Sequence, residues 1–288
     1  MTMTAAMMQM FSSAPIVLDT VFDLDFDEVD IPEGAFFQVQ FNITPRDGFD
    51  AVGVDWGDGT VQDWPRSQYT MYHNWTAPGR YRVKLDGRLR WFRFTSSYSV
   101  VNGRSRSARP LIRPVQWGDF VESAEGTYCG LSGTREGRGI QGVAIPWGKS
   151  IRNTNCCYQG ATGLVGPFPK WGPSVTVCDG TYQYSGLGGK IPPWPKNAVS
   201  CDQCYMNTGA AGAIPAWPET METARKCYMD CANLDAAWTD DPELLMPATI
   251  NRAEGAVTGH DDVVKGTGES LRALFYEDWG GTRERPEE

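Results

Sequence analysis

The sequence has no long hydrophobic run and almost no histidine, and both absences narrow its function. No stretch approaches the roughly 18 consecutive apolar residues that a membrane-spanning helix needs, so we expect no membrane insertion. The chain has two histidines, His73 and His260, and the sequence indicates no nucleophile that would act with either of them. We therefore predict no catalytic residue and a protein that is not an enzyme.

The beginning of the chain also lacks the features of a secretory signal. It has several methionines but no basic start and no sustained apolar core. A cell-surface adhesin is normally exported, whereas the proteins of a virus particle fold in the host cytoplasm and leave at lysis. Because residues 1–20 are rich in small residues and methionine, we expect them to form an N-terminal arm, which can add to a neighbouring subunit as an extended strand.

What the sequence does have is a rhythm of tryptophan and tyrosine in its second half. Five tryptophans are each followed by a tyrosine eleven positions later, and successive tryptophans are 30, 24, 23 and 23 residues apart. A period of this size predicts a solenoid, in which an aromatic residue that returns once per coil stacks on its counterpart in the next. The pairs are Trp117–Tyr128, Trp147–Tyr158, Trp171–Tyr182, Trp194–Tyr205 and Trp217–Tyr228.

The repeated unit also resembles a known family. The Ile-Pro-x-Trp step at 214–217, the Cys-Tyr step at 227–228 and the Cys-x-Asn-Leu step at 231–234 are similar to the 23-residue leucine-rich repeats of bacterial surface antigens, called BspA-like. The resemblance covers residues 114–246, with aromatic and cysteine residues in many leucine positions. It implies a leucine-rich-repeat-type solenoid and an adhesive function.

The first half resembles a second family. The run Val-Asp-Trp-Gly-Asp-Gly-Thr at 54–60, the His-Asn-Trp step at 73–75 and the Pro-Gly-Arg-Tyr-Arg-Val strand at 78–83 are similar to the polycystic kidney disease (PKD) domain, an immunoglobulin-like β-sandwich. The glycines at 57 and 59 suit a tight turn between two strands. Two sets of residues are expected to have structural roles. They are Trp56, Asp58, Gly59, His73, Gly79 and Tyr81 in the sandwich, and Tyr158, Tyr182, Tyr205 and Tyr228 in the repeats.

These patterns together predict a mainly β protein. We expect a PKD-like sandwich over residues 21–100, a basic linker over 101–113 and the BspA-like solenoid over 114–246. Residues 247–288 are expected to form a C-terminal cap and tail, because Leu271, Leu274, Phe275 and Trp279 share one face of a short helix. Such a helix closes the open end of a repeat array.

The eight cysteines all lie between Cys129 and Cys231, inside the repeats. Their recurrence at fixed distances from the tryptophans favours small hydrophobic residues stacked in successive coils. Disulfides and a thiolate metal site at Cys201-x-x-Cys204 and Cys227-x-x-x-Cys231 are the alternatives. A calcium site at Asp55 and Asp58 is a further alternative to a turn in which these carboxylates bond their own backbone. We predict no metal and no cofactor.

Charge is unevenly distributed in a chain of net charge −9. The segment 22–27 alternates apolar residues with aspartates, while residues 80–113 hold ten basic residues against one acid. Either the acidic and basic strands are neighbours in one sandwich, or the basic linker docks on an acidic partner such as another virion subunit. The candidate docking residues are Arg104, Arg106 and Arg109. Nucleic acid is not an expected partner, because no binding motif is present.

The tryptophans of the repeats allow two interpretations. If they face outward, they form an aromatic ladder that stacks on glycans or grips a protein; if they face inward, they fill the core. The second is favoured because leucine is scarce. The candidate binding residues of the ladder are Trp147, Trp171, Trp194 and Trp217.

The two resemblances and the missing signal predict a non-enzymatic bacteriophage virion protein. It would be a capsid decoration, a head fibre or a tail-associated protein at the virion surface, with an adhesion-type module for a host-surface glycan or protein. Its expected partners are other virion proteins, and homo-oligomerisation is left open. The alternative is an exported adhesin on the extracellular bacterial surface.

Overall fold

The computed structural model describes residues 19–26, 31, 34–101, 104–107, 110–131, 139–224, 226–231 and 233–235. Every regular element in these residues is a strand, so the protein is mainly β, and none of them forms a helix that could cross a membrane. The predicted arm lies outside the described residues except at its last two positions, and the predicted C-terminal helix lies outside them entirely. The strands are β1 (Thr20–Phe26), β2 (Phe36–Pro45), β3 (Ala51–Asp55), β4 (Val61–Pro65), β5 (Thr70–Trp75), β6 (Gly79–Leu85), β7 (Leu89–Val101), β8 (Arg104–Ser107), β9 (Leu111–Gln116), β10 (Gly139–Ile140), β11 (Gly188–Lys190), β12 (Gly209–Ala213) and β13 (Asn233–Asp235).

Two sheets pack face to face in the N-terminal half. Sheet A has the strand order β10-β9-β1-β6-β3-β4, and sheet B has the order β5-β2-β7-β8. Alternate residues of each strand point into the space between the sheets, as the period of two requires. The rings of Phe22 in β1 and Phe41 in β2 are 5.6 Å apart, and those of Phe26 and Phe37 are 4.6 Å apart. The two sheets therefore share an aromatic core.

The acidic strand β1 pairs with basic neighbours inside sheet A. Its register with β6 places Asp23 opposite Arg82 and Asp25 opposite Arg80. Arg82 donates two hydrogen bonds to Asp23, at 2.8 and 3.1 Å, and Arg113 of β9 donates one to Asp25 at 2.8 Å. The acidic and basic strands are therefore neighbours in one sheet, which is the first of the two interpretations of the charge pattern. Their ion pairs neutralise part of the basic segment within the sandwich.

The segment expected to be a basic linker carries two strands instead. β8 pairs with the end of β7, and β9 pairs with β1 along residues 111–116. The sandwich therefore extends to Gln116. Residues 101–113 resemble a linker because they contain serine, glycine and arginine. The strand that stabilises β9 is distant in sequence, since Asp25 and Arg113 are separated by 88 positions.

The second half, residues 117–235, is named here the repeat stack. Its successive copies lie parallel, and isolated bridges join positions six residues after each tryptophan. One backbone hydrogen bond recurs in each copy, from the tyrosine N–H to the next copy's carbonyl, at 2.9 Å in all four cases. The bridged positions are Ser123, Asn153, Val177, Ser200 and Thr223.

One side of the repeat stack continues sheet B. The N–H of Glu122 donates to the carbonyl of Arg90 at 3.0 Å, and the N–H of Phe94 donates to the carbonyl of Thr127 at 3.2 Å. The hydroxyl of Thr127 also donates to the carbonyl of Phe92 at 2.7 Å. Glu122 is bonded to Arg90 and Thr127 to Phe94, so residue numbers rise in the same direction along both segments. The first repeat therefore lies parallel to β7 and occupies its open edge.

The other side continues sheet A. β10 pairs in parallel with β9, and parallel bridges then join Gly142 to Leu164 and Pro167 to Gly188 before the small sheet β11-β12-β13. The hydrophobic residues of both halves form one continuous cluster. The sandwich and the repeat stack are therefore two parts of one double-layered β structure with a shared core.

Two positions in every repeat adopt a left-handed backbone conformation. They lie nine and thirteen residues after the tryptophan, and their φ angles fall between 51° and 70°. Glycine adopts this conformation without the cost that a Cβ atom imposes, yet glycine occupies only two of the five positions in each set. The positions are Gly126, Cys156, Gly180, Gln203 and Lys226 in the first set and Gly130, Gly160, Tyr184, Asn207 and Asp230 in the second.

Tyr184 offers a test of this geometry, because it has a φ of 55° and its side chain is 43% exposed. We expect Tyr184→Gly to be more stable than Tyr184→Ala by about 1 kcal/mol, since only glycine relieves the left-handed backbone. At Tyr72, a position in strand β5 that is 53% exposed, the order should reverse. Urea unfolding of the four variants measures both differences. The same order at both sites would contradict the prediction.

Candidate binding site

The tryptophans of the repeat stack line its core and do not form an exposed ladder. Trp147 and Trp194 are each 7% exposed, while Trp171 and Trp217 are partly buried and pack against the core cluster. Neighbouring indoles stack at 5.3 to 6.0 Å with interplanar angles of 6° to 18°. These four candidate binding residues therefore have a packing role, which follows from the shortage of leucine.

A tyrosine column runs beside the indoles. Tyr158, Tyr182, Tyr205 and Tyr228 are completely buried, and burial raises the pKa of each phenol well above its ordinary value. Their hydroxyls differ in environment. The Tyr182 hydroxyl accepts a 3.1 Å hydrogen bond from Trp147 Nε1, whereas the Tyr205 hydroxyl has no partner among the described residues.

The cysteines behave as small hydrophobic residues in the same core. All eight are free thiols; six are buried, and Cys129 and Cys156 are partly exposed. Burial raises the pKa of Cys201 and Cys204 well above its ordinary value, which keeps these groups protonated. The thiol of Cys231 donates to the carbonyl of Tyr205 at 2.9 Å. In the part of the chain that the structure describes, no three metal-ligating side chains come together.

The Gly-Asp-Gly turn of the sandwich is held by its own side chains. Asp58 Oδ1 accepts a 2.9 Å hydrogen bond from the N–H of Thr60, and Asp58 Oδ2 lies 2.7 Å from His73 Nε2. The His73 ring stacks on Trp56 at 4.6 Å, with an interplanar angle of 10°. Gly59 has a φ of 93°. The motif residues Trp56, Asp58, Gly59 and His73 therefore hold a turn in place, and the Asp58 carboxylate is hydrogen-bonded within the protein.

Strand β6 contains the last two motif residues. Gly79, with a φ of 154°, begins β6, and the Tyr81 hydroxyl donates to the carbonyl of Ala77 at 2.7 Å. The Tyr81 ring packs 5.9 Å from that of Trp75. This tyrosine thus closes the end of the sandwich core and ties the preceding loop to it.

An open groove lies where the sandwich meets the repeat stack. We name it the junction groove; its volume is about 480 Å³. Strands β2 and β7, the loop before β5 and the first repeat each contribute to its walls. Its lining residues are Thr44, Tyr69, Arg90, Trp91, Arg93, Ser123 and Glu125.

The groove combines an aromatic surface with charged groups. The rings of Tyr69 and Trp91 are 6.1 Å apart and inclined by only 20°. Trp91 Nε1 donates to the carbonyl of Glu125 at 2.8 Å, which fixes the indole against the first repeat. Arg90 is bound by Glu122 at 3.1 Å.

Sequence reasoning did not find this groove, although one signal was present. The segment Trp91-Phe92-Arg93-Phe94 alternates, so that the two phenylalanines enter the core and Trp91 and Arg93 face outward. No signal in the sequence places Tyr69 or Glu125 beside them. Tyr69 comes beside Trp91 through β2, where the N–H of Ile43 donates to the Tyr69 carbonyl and Thr44 pairs with Trp91. Glu125 joins them because the repeat stack docks along β7.

The predicted docking arginines lie elsewhere on sheet B. Arg104 is exposed at the start of β8, and Arg106 lies in the same edge strand. β8 pairs with residues 98–101 of β7, whereas the groove lies at residues 90–93 of that strand. Arg109 is outside the described residues. The structure therefore separates Arg104 and Arg106 from the junction groove along β7.

The two tyrosine environments generate a stability prediction. Tyr182→Phe should lower the free energy of unfolding by about 1 kcal/mol, because it removes the acceptor of a buried indole N–H. Tyr205→Phe should leave stability unchanged or raise it, because its buried hydroxyl has no partner among the described residues. Denaturant midpoints compare the two variants. Equal losses would show that the hydroxyls contribute alike.

The turn generates a pH prediction. Burial raises the pKa of Asp58, but the hydrogen bonds from His73 and Thr60 outweigh it and hold the pKa below its ordinary value of 3.8. A lowered folded pKa contributes stability above the unfolded value of about 3.9 that is lost as the pH falls through the folded pKa. Unfolding midpoints between pH 6 and pH 2 should therefore fall less steeply for Asp58→Asn than for the natural protein. Identical slopes would exclude this contribution.

Comparisons with known proteins do not add to this picture. No protein-family model matches the chain, and neither a curated protein nor a solved structure matches it.

Proposed function

We propose that this chain is a non-enzymatic structural and binding protein of a bacteriophage particle. In this proposal residues 21–116 form a PKD-like sandwich and residues 117–235 form a BspA-like, leucine-rich-repeat-type solenoid. The observation that carries the proposal is the continuous double layer in which the repeats extend both sheets of the sandwich. A sandwich and a repeat stack that share one core suit display on a particle, because the shared core holds a binding surface at a fixed distance and orientation.

The groove chemistry supports binding as the activity. Its lining contains aromatic, hydroxyl, guanidinium and carboxylate groups, but no histidine or cysteine. His73, the histidine within the described residues, is engaged by Asp58 and stacked on Trp56. Sites for small ligands commonly combine an aromatic surface with a few orienting polar groups.

The thiols favour a virion protein over an exported adhesin. All eight cysteines are free in the structure, and six of them are buried in the aromatic core. Proteins that are exported into oxidising surroundings commonly form disulfides, whereas free buried thiols are typical of proteins that fold in a reducing cytoplasm. Virion proteins fold in the host cytoplasm. An exported bacterial adhesin is the second candidate, supported by the resemblance of the repeats to surface antigens.

Quantitative mass spectrometry separates these candidates. Density-purified particles and the envelope fraction of uninfected host cells are digested, and the protein is quantified against the major capsid protein. We expect it in particles at a fixed ratio to that protein. Recovery only from uninfected envelopes would overturn the virion proposal and leave the exported adhesin.

Counting the free thiols of the particle-derived protein tests the cytoplasmic folding route independently. The particle-derived protein is unfolded without reductant and alkylated, and we expect eight modified cysteines. Without unfolding, alkylation should reach at most the two partly exposed thiols, Cys129 and Cys156. Disulfide-linked peptides in the unreduced sample would contradict the cytoplasmic folding route.

A further inference from the structure

We infer that the junction groove binds an anionic saccharide, with a sugar ring on the Tyr69–Trp91 surface and its acidic group at Arg93. The inference rests on the proposed binding function and names the ligand class. The groove volume of about 480 Å³ lies within the range of about 300–1,000 Å³ that small-molecule sites occupy.

The aromatic surface is suited to the apolar face of a sugar ring. Tyr69 is 54% exposed, and its ring is nearly parallel to that of Trp91. The indole is held by its hydrogen bond to the carbonyl of Glu125. A fixed ring loses little conformational entropy when a ligand stacks on it, so contact energy is retained as affinity.

Arg93 is the cation available to an acidic substituent. Its guanidinium is exposed, and among the described residues it makes neither a hydrogen bond nor an ion pair. In contrast, Arg90 at the same groove is held by Glu122. A guanidinium binds a carboxylate or a phosphate through two parallel hydrogen bonds, which an uncharged hydroxymethyl group cannot form.

Gly126 keeps Arg93 in this place. A Cβ atom at Gly126 would lie 3.2 Å from Arg93 Nε and 3.3 Å from its Cζ. The glycine is also left-handed, with a φ of 61°. The missing side chain therefore leaves the room in which the guanidinium lies against the first repeat.

The remaining polar groups fit hydroxyls and limit the charge of the ligand. Thr44, Ser123 and Glu125 line the groove, and a Glu125 carboxylate oxygen accepts a 3.1 Å hydrogen bond from Asn153. A carboxylate accepts hydrogen bonds from sugar hydroxyls but repels a second acidic group. The groove therefore favours a saccharide with isolated acidic groups over a densely charged polyanion.

The test measures binding of the full chain to matched saccharide probes. Oligosaccharides that carry a hexuronate, a sialate or a glycerol phosphate are each compared with their uncharged counterpart by calorimetry at low and high salt. We expect at least one acidic probe to bind at least tenfold more tightly than its counterpart, with an affinity that falls as salt rises. The carboxylate and phosphate probes identify which acidic group is recognised.

Three variants assign the contacts. Tyr69→Ala should weaken binding about tenfold, the scale of one aromatic contact. Arg93→Gln should remove the preference for the acidic probe, while weaker binding of the ring persists. Tyr72→Ala is the control, because Tyr72 is 53% exposed on the neighbouring strand but does not line the groove, and it should bind normally. Thermal unfolding confirms that each variant is folded.

Several results would overturn the inference. These are the absence of binding across the panel, equal affinity for charged and uncharged probes, and a loss of binding in Tyr72→Ala equal to that in Tyr69→Ala. Particle-bound protein that ignores every saccharide would end the inference and leave the virion proposal intact. Saccharide binding by a protein found only in uninfected envelopes would support the inference and overturn the virion proposal.

Discussion

The parallel backbone hydrogen bonds between one repeat and the next are the constraint on which the rest of the structure depends. They fix equivalent residues at equal heights, so each side chain meets its own counterpart in the neighbouring repeat. Along the core this brings rings to centroid distances of 5.3 to 6.1 Å, which flat side chains fill well. The tryptophan and tyrosine columns follow from this geometry, and the small thiols occupy the space that remains beside them.

The same hydrogen bonds join the two halves of the molecule. The first repeat occupies the open edge of β7, and β10 occupies that of β9, so these sheet edges are covered by the protein itself. The junction groove is a product of this docking, because Trp91 is fixed by a carbonyl of the first repeat. Neither half alone contains the complete groove. Its recognition properties are thus tied to the orientation that the shared core imposes.

Much of the core was predictable from the sequence, whereas the site was not. The fixed offset between tryptophan and tyrosine predicted the two stacked columns, and the alternation in β1 predicted its pairing with basic strands. β8 and β9 were missed because their partners are distant and their composition resembles a linker. The groove was missed because Tyr69, Trp91 and Glu125 come from three separate segments. The left-handed positions were hidden as well, since most of them lack glycine.

The open edge that each repeat presents to the next has a consequence for how the chain is made. The sandwich, which ends with β9, is synthesised before the repeats, so a template exists when the first repeat emerges from the ribosome. Each repeat then completes the surface on which its successor assembles. Assembly of this kind does not depend on the total number of repeats. Duplication or loss of one whole unit in the gene would change the reach of the molecule without altering the junction at its base.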